Sequence, residues 1–218
     1  MSRLVCVSNR ITLPRKTAAP GGLAVGVLAA MREKGGLWFG WSGDLNADPA
    51  PQPEVVTRER IDYATIDLTQ TQYDRYYRGF CNTTLWPLFH YLTDRFRYDH
   101  EWHAGYRDVN RWFAERLVPL LRPDDRLWIH DYHLIPLARE LRSLGVTQRI
   151  GLFLHIPFPH IEVLRLLPPY EDLIRNLTHY DLVGFQTAAD ERSFHAGLGG
   201  VFPQGAPPVK TGSFPIGI

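Results

Sequence analysis

Four titratable residues, three of them close together in the chain, could carry chemistry in this sequence. His130, Asp131 and His133 occur together in RLWIHDYHLIP, and His155 occurs in FLHIPFPH. Such residues could ligate a metal ion, exchange protons with a substrate, or hydrogen-bond to the hydroxyl groups of a sugar. A catalytic zinc ion needs three protein ligands, and the sequence contains neither an HExxH segment nor a closely spaced cysteine pair. We therefore expect no metal ion here.

Asp131 gives the strongest indication of a binding role. It follows an apolar segment, and a carboxylate in apolar surroundings is costly unless it receives hydrogen bonds. Sugar hydroxyls could donate them, because an ionised carboxylate accepts strong charge-assisted bonds. His130 and His133 could instead be core histidines bonded to the backbone.

A second group of residues could bind phosphate. Arg10 follows the apolar segment RLVCVS, and its planar guanidinium fits a phosphate through two hydrogen bonds. Gly21 and Gly22 precede an apolar helix, whose N-terminus favours an anion. The pair lacks GxGxxG spacing and could be an ordinary turn, and Arg10 could be an ordinary surface residue.

Three aromatic residues could line a sugar pocket, or could simply belong to the core. Trp41 lies in the glycine-flanked segment GWSG, Tyr77 lies in YDRYYRGF, and Trp86 precedes Pro87. Aromatic faces beside hydroxyl-bonding groups are what a sugar pocket requires.

These residues need elements to position them, and the sequence predicts alternating strands and helices. Predicted strands are 3–10, 36–43, 60–68, 126–130, 149–159 and 181–187, and the last ten residues resemble a further strand. Predicted helices are 23–35, whose end is marked by Gly35 and Gly36, several within 69–122, 134–145, 162–179 and 188–198. Residues 47–54 are interpreted as a surface loop. This alternation predicts an α/β fold with a doubly wound, Rossmann-like parallel sheet.

The predicted sheet brings the polar groups together. Arg10, Trp41, His130–Asp131, His155 and Gln186 each lie at or near the carboxyl end of a predicted strand. Ligands of open parallel sheets bind outside the carboxyl ends of the strands. We therefore expect one binding site along that edge.

Composition excludes several classes of protein. The 218 residues have a formal net charge of +1, which argues against a general nucleic-acid binder. Cys6 and Cys81 cannot form a disulfide framework, and Cys6 is predicted to be a buried free thiol. No signal peptide or membrane-spanning run is visible. The sequence thus predicts a soluble cytoplasmic protein without a membrane partner.

Several segments together resemble one family. SNRI, GGLAVGVL, GLWFGWSG, YYRGFCNTTLWPLFHY, WIHDYHL, GLFLHIPFP, DLVGFQT and FPIGI occur in the order and spacing of glycosyltransferase family 20, the trehalose-6-phosphate synthases. The resemblance implies a two-domain GT-B architecture. It also implies transfer of glucose from a nucleotide sugar (UDP-glucose or GDP-glucose) to glucose 6-phosphate, with retention of configuration and without a metal ion or other cofactor.

The resemblance implies roles for the acceptor-side residues. Arg10 would bind the phosphate of the acceptor, and Tyr77 would help to hold this phosphosugar. Trp41 and Trp86 would shape the acceptor pocket, and Asp131 would bond acceptor hydroxyls.

It also implies roles towards the donor. Gly21 and Gly22 would approach the donor diphosphate, and His155 would contact the donor glucose. No protein nucleophile is implied, so Asp131 and His155 would serve catalysis by positioning and electrostatics.

The resemblance further implies that residues 1–218 form the N-terminal, acceptor-side domain, and that the nucleotide-sugar domain is absent from this chain. The chain alone is then expected to be inactive. Two alternatives stay open: a phosphosugar-binding regulatory module without catalysis, and a related synthase or pseudo-glycosyltransferase with another acceptor. A homo-oligomer also stays open.

Overall fold

A single eight-stranded sheet organises the part of the chain that the computed structural model describes, residues 2–11 and 22–215. Its strand order is β3-β4-β2-β1-β5-β6-β7-β8, and every neighbouring pair is parallel except β3 and β4. The strands are β1 (Leu4–Arg10), β2 (Gly36–Leu45), β3 (Glu54–Arg58), β4 (Ile61–Leu68), β5 (Arg126–His130), β6 (Arg149–Phe153), β7 (Leu182–Phe185) and β8 (Lys210–Ser213).

Helices connect the strands. They are α1 (Gly22–Lys34), α2 (Gln70–Gln72), α3 (Trp86–Phe89), α4 (His100–Leu117), α5 (Leu137–Ser143), α6 (Ile161–Leu164), α7 (Tyr170–Leu177) and α8 (Ala188–Val201). Two 3₁₀ turns, Val118–Leu120 and Tyr132–Leu134, and a π-helical segment, Tyr73–Leu85, complete the set. The predicted alternation of strands and helices is confirmed.

The direction in which the chain winds changes beside β1. From β1 the chain first builds β2, β4 and β3 on one side, and then builds β5 to β8 on the other. Such a reversal opens a crevice outside the carboxyl ends of the two strands that flank it. The flanking strands are β1, which ends at Arg10, and β5, which ends at His130.

Alternating residues of the central strands pack into two separate cores. Val7 and Phe39 belong to the larger core, whereas Cys6 and Trp38 belong to a smaller one that includes Met31 of α1. Since successive side chains of a strand point to opposite faces, the sheet buries both of its faces. The predicted doubly wound arrangement is confirmed, as is the buried free thiol of Cys6.

Glycine marks the end of α1 as predicted. Gly35 has a positive φ of 71° and donates its N–H to the Met31 carbonyl oxygen at 2.7 Å, which closes the helix. At Gly36, with φ 134°, a Cβ would collide with the Leu4 carbonyl oxygen, so only glycine fits where β2 meets β1.

The π-helical segment gives the site its aromatic wall. A capping box starts the helical run: the Thr69 side chain accepts from the Gln72 N–H at 3.1 Å, and the Gln72 side chain accepts from the Thr69 N–H at 2.8 Å. The segment from Tyr73 to Leu85 then buries Tyr76 and Phe80 against α4. Nothing in the sequence pattern distinguishes a π-helix from an α-helix here.

Four details of the predicted elements were wrong. Strand β3 was missed, because residues 54–58 follow a proline-rich loop and form an antiparallel edge of an otherwise parallel sheet. The strand predicted for 149–159 ends at Phe153. The helix predicted for 162–179 is divided into α6 and α7, with Pro168 and Pro169 between them, since proline cannot donate the helical hydrogen bond. Trp41 lies inside β2, which continues to Leu45.

No helix of the described residues is long and apolar enough to cross a membrane.

Candidate active site

The polar groups predicted to share one edge of the sheet do so. Arg10 lies opposite Trp41 in the register of β1 and β2. His130 lies opposite Phe153 at the ends of β5 and β6, and His155 follows two residues later. Gln186 comes directly after β7. Apart from Trp41, which lies inside β2, these positions lie at or just beyond the carboxyl ends of parallel strands.

Arg10, Trp41 and Tyr77 form one half of this edge, which we call the arginine end. The exposed Arg10 guanidinium carbon lies 5.6 Å from the centre of the Trp41 ring. A Cβ at position 43 would collide with the guanidinium, so Gly43, with φ 96°, leaves room for it. Trp41 is only 4% exposed, and its Nε1 donates to the Asp44 carbonyl oxygen at 2.7 Å. Trp41 therefore supports Arg10 from the core.

Stacked rings lead from the arginine end to the middle of the edge. The Trp41 ring lies 6.0 Å from that of Tyr77, and Tyr77 stacks on His133 at 5.8 Å with an interplanar angle of 16°. His133 also contacts Tyr132, at 4.0 Å between ring centres. The sequence left open that the His133 ring hydrogen-bonds to the backbone. The Nδ1 of this ring does not do so, because it is buried and has no hydrogen-bond partner among the described residues.

The other half of the edge contains His130, Asp131 and His155, and we call it the histidine end. Asp131 has φ 75° and ψ 169°, a backbone conformation that almost only glycine adopts. Its N–H donates to the Phe153 carbonyl oxygen at 2.8 Å. Its Oδ1 accepts from the N–H groups of Tyr132 at 3.0 Å and His155 at 3.1 Å. One carboxylate thus joins the ends of β5 and β6.

Burial dominates the electrostatics of Asp131. Loss of solvent raises the pKa of this carboxyl to about 6, although the Tyr132 and His155 N–H groups and the nearby His90 act in the opposite direction. A strained, desolvated carboxylate persists only where the surrounding structure holds it. The fold therefore maintains the position of Asp131 at an energetic cost.

His130, His133 and His155 are uncharged at neutral pH. Burial lowers the pKa of His130 and of His133 to about 3 and that of His155 to about 4. His130 is only 1% exposed, and its Nδ1 lies 3.1 Å from the His155 Nε2. His130 is buried, as predicted for a core histidine. Its ring, however, was predicted to bond the backbone and instead bonds another histidine.

Trp86 lies beside His90. Its ring is 38% exposed and lies 4.2 Å from the ring of His90. The His90 Nδ1 lies 2.7 Å from the Trp86 carbonyl oxygen. His90 in turn acts on Asp131 and lowers the pKa of that carboxyl.

The structure describes only one of the two glycines predicted to approach a diphosphate. Gly21 lies outside the described residues. Gly22 is the first residue of α1, which begins one residue before the predicted start of that helix.

In the described ranges, no group of three or more histidine, cysteine, aspartate or glutamate residues is arranged to hold a metal ion. His130 and His155 bond each other directly.

Sequence reasoning missed two contributors to this edge. One is His90, which lies in the apolar segment LWPLFHY without a distinguishing spacing. The other is Asn9, whose Oδ1 accepts from the Tyr76 hydroxyl at 2.7 Å. The position of Asn9 at the tip of β1 is the feature of the sequence that could have indicated its role.

Comparison with known proteins supplies the family. The model of glycosyltransferase family 20 matches residues 4–200. The chain belongs to glycosyltransferase family 20. A trehalose-6-phosphate synthase of Klebsiella pneumoniae is 52% identical over 195 residues, which are 89% of this chain and 41% of that protein.

Solved structures of family 20 agree along the whole chain. An α,α-trehalose-phosphate synthase from Burkholderia xenovorans in complex with glucose-6-phosphate is 47% identical, with a TM-score of 0.91. An E. coli structure bound with UDP-2-fluoro glucose is 44% identical, also with a TM-score of 0.91. Each match covers 100% of this chain, but only 50% and 49% of the other. This family 20 chain therefore has a Rossmann-like fold of the GT-B architecture and spans about half the length of its relatives.

Proposed function

We propose that the chain forms the acceptor side of a retaining glycosyltransferase. The reaction transfers glucose from UDP-glucose or GDP-glucose to glucose 6-phosphate and yields trehalose 6-phosphate. The main support is that an exposed guanidinium and a desolvated carboxylate share the carboxyl edge of the sheet, because a phosphosugar needs a cation for its phosphate and acceptors for its hydroxyls. Glucose-6-phosphate and UDP-2-fluoro glucose in related structures support the same choice of substrates.

The two ends would divide the acceptor between them. Arg10 would bind the phosphate through two charge-assisted hydrogen bonds, with Tyr77 beside it. Trp41 would keep the guanidinium in place, and Asp131 would accept hydrogen bonds from the sugar hydroxyls. Trp86, which is partly exposed beside His90, would bound the pocket on the side of Asp131.

Catalysis would depend on position and charge, without a covalent enzyme intermediate. The Asp131 Oδ1 already accepts two backbone hydrogen bonds, which fixes the carboxylate in place. The acceptor hydroxyl would attack the anomeric carbon on the face that the nucleotide leaves, and its proton would pass to the departing phosphate oxygen. His155 would contact the donor glucose. The uncharged histidines keep the surroundings apolar, so that the charge of Asp131 acts at full strength.

The donor diphosphate would lie at the N-terminus of α1, where Gly21 and Gly22 allow close approach of backbone N–H groups. The half of the relatives that this chain does not span would supply the remaining donor contacts. Loss of one preorganised contact to the developing charge typically costs a factor of about 10²–10³ in rate. Residues 1–218 are therefore proposed to bind glucose 6-phosphate weakly and not to transfer glucose.

The test compares the chain with a chimera in which residues 1–218 are continued by the unspanned half of the Klebsiella relative. Both are incubated with glucose 6-phosphate and UDP- or GDP-glucose, and trehalose 6-phosphate and released nucleotide are measured. We expect repeated turnover only by the chimera. Turnover by the isolated chain would show that the catalytic groups all lie within residues 1–218. Binding of glucose 6-phosphate by a well-folded chimera that makes no product would favour a regulatory phosphosugar module.

A further inference from the structure

The pairing of His130 with His155 raises the question of which nitrogen carries the hydrogen. The two rings are 5.3 Å apart with an interplanar angle of 30°, and 3.1 Å separates the His130 Nδ1 from the His155 Nε2. His130 is the last residue of β5, and its ring packs against that of Trp128 with 4.3 Å between the ring centres. The sheet therefore fixes the orientation of His130, and His130 can fix that of His155.

Only one hydrogen lies between the two facing nitrogens. Burial holds the pKa of His130 at about 3 and that of His155 at about 4, so both rings are neutral near pH 7. A neutral imidazole has one N–H donor and one acceptor nitrogen. Either His130 donates and His155 accepts, or the reverse holds.

The surroundings of the opposite nitrogen of His130 distinguish the two arrangements. The His130 Nε2 is buried and has no hydrogen-bond partner among the described residues. If the hydrogen were on Nε2, a buried N–H donor would be left unpaired, and such orphaned donors are rarer than acceptors with an unused lone pair. The favourable arrangement puts the hydrogen on the His130 Nδ1.

We propose that His130 is a positioning residue that donates its Nδ1–H to the His155 Nε2 and so holds His155 in the Nδ1–H tautomer. His155 is partly exposed, and none of the described residues hydrogen-bonds its Nδ1. The site therefore contains an N–H donor on His155, and it selects a ligand atom that accepts, such as a hydroxyl or ring oxygen of a sugar. The tautomer is independent of the proposed function, whereas the consequence for glucose transfer depends on it.

Long-range ¹H–¹⁵N correlation spectra of the histidine-labelled chain measure the tautomer directly at pH 7. We expect a protonated Nδ1 and an unprotonated Nε2 for His155, the opposite of the form that free histidine favours in water. Signals are assigned by comparison with His155→Gln. A protonated Nε2 on His155 in the unsubstituted chain would overturn the proposal, whatever any variant does.

Two substitutions of His130 form a matched pair. H130N keeps a side-chain N–H near the position of Nδ1 and should keep His155 in the Nδ1–H form. H130L removes the donor and should release His155 to the Nε2–H form. If H130L leaves the tautomer unchanged while thermal unfolding and the amide spectrum stay native, His130 does not set it. If H130L fails to fold, the spectrum of the unsubstituted chain and that of H130N still decide.

The chimera tests the catalytic consequence. H130L should lower kcat by about 10- to 100-fold, the size of effect seen when the hydrogen-bond partner that orients a metal-ligating histidine is lost, while the KM for glucose 6-phosphate stays near its original value. H130N should restore most of the rate. An altered tautomer with an unchanged kcat would leave the assignment of His130 intact and would refute the proposed contact of His155 with the donor. A chimera without synthase activity would refute the proposed function but not the tautomer.

Discussion

The arginine end and the histidine end lie on the same edge of one sheet, yet they differ in how they treat charge. Arg10 is exposed and supported by the face of Trp41, so its charge remains in water until a ligand arrives. Asp131 is desolvated, held by two backbone N–H groups and adjacent to the neutral His130 and His155. In the proposed function, the exposed cation would capture the anionic substrate from solution, whereas the buried carboxylate would orient it. One edge would then combine capture with orientation.

The largest expected contrast is in acid stability, which should depend on the histidine end and on its neighbour His133. In these three histidines the folded pKa lies below the unfolded value of about 6.5, so the stability from keeping them neutral is present above pH 6.5 and is lost as pH falls toward 4. Asp131, with a folded pKa of about 6, opposes this loss in part. We expect the free energy of unfolding to fall by on the order of 5 kcal/mol between pH 7 and pH 4.5.

Urea unfolding at several pH values measures this loss, and H130N is the matched variant. It removes one of the buried histidines and should make the pH dependence shallower. A free energy of unfolding that stays constant from pH 7 to pH 5 would contradict the neutral state of the histidines.

The next contrast concerns the exposed cation. Arg10→Ala should weaken glucose 6-phosphate binding by about 2–3 kcal/mol, roughly 30- to 150-fold, because a charge-assisted contact to phosphate is lost. Binding of glucose, which has no phosphate, should not change. Calorimetric titration of the chimera measures both ligands.

Arg126→Ala is the control for Arg10→Ala. Arg126 is also exposed but begins β5, at the opposite edge of the sheet. Its replacement should leave the affinity for glucose 6-phosphate unchanged. Equal losses from the two substitutions would mean that only net charge matters and that the arginine end is not a phosphate site.

A smaller effect should separate function from stability at Asp131. Asn keeps an oxygen for the two backbone N–H groups but carries no charge to desolvate. Because the folded pKa of about 6 exceeds the unfolded value, the stability that the protonated carboxyl contributes is lost as pH rises through 6. We expect Asp131→Asn to stabilise the chain by about 1–3 kcal/mol at pH 8, with no gain near pH 4, and to weaken sugar binding. A variant that is less stable than the original chain at pH 8 would refute the desolvation cost.

The smallest effect distinguishes the two ends by salt. Exposed charges are screened when the Debye length falls to about 3 Å at 1 M salt, whereas buried groups are screened much less. Raising the ionic strength should weaken glucose 6-phosphate binding by a few-fold, and Arg10→Ala should remove most of that dependence. Asp131→Asn should retain it. Identical salt dependence in both variants would remove the distinction between the ends.

Much of the site could be predicted from local patterns. Apolar runs that end in polar residues gave the strands and the edge to which Arg10, Asp131 and His155 belong, because parallel strands share one direction. The glycines at 35 and 36 gave the end of α1. Edge strand β3 could not be predicted, because a short exposed strand forms through pairing with β4 and not through its own pattern.

The sequence by itself determined the α/β class, the identity of the polar groups and the shared edge on which they lie, since these depend on local periodicity and on the direction of the chain. Only the tertiary structure decided their state. The pKa of Asp131 rises, and those of His130 and His155 fall, because helices and neighbouring strands remove water from them. The bond between His130 and His155 joins residues 25 positions apart and exists because β5 and β6 are neighbours. Burial and strand adjacency are properties of the whole fold, and no local pattern contains them.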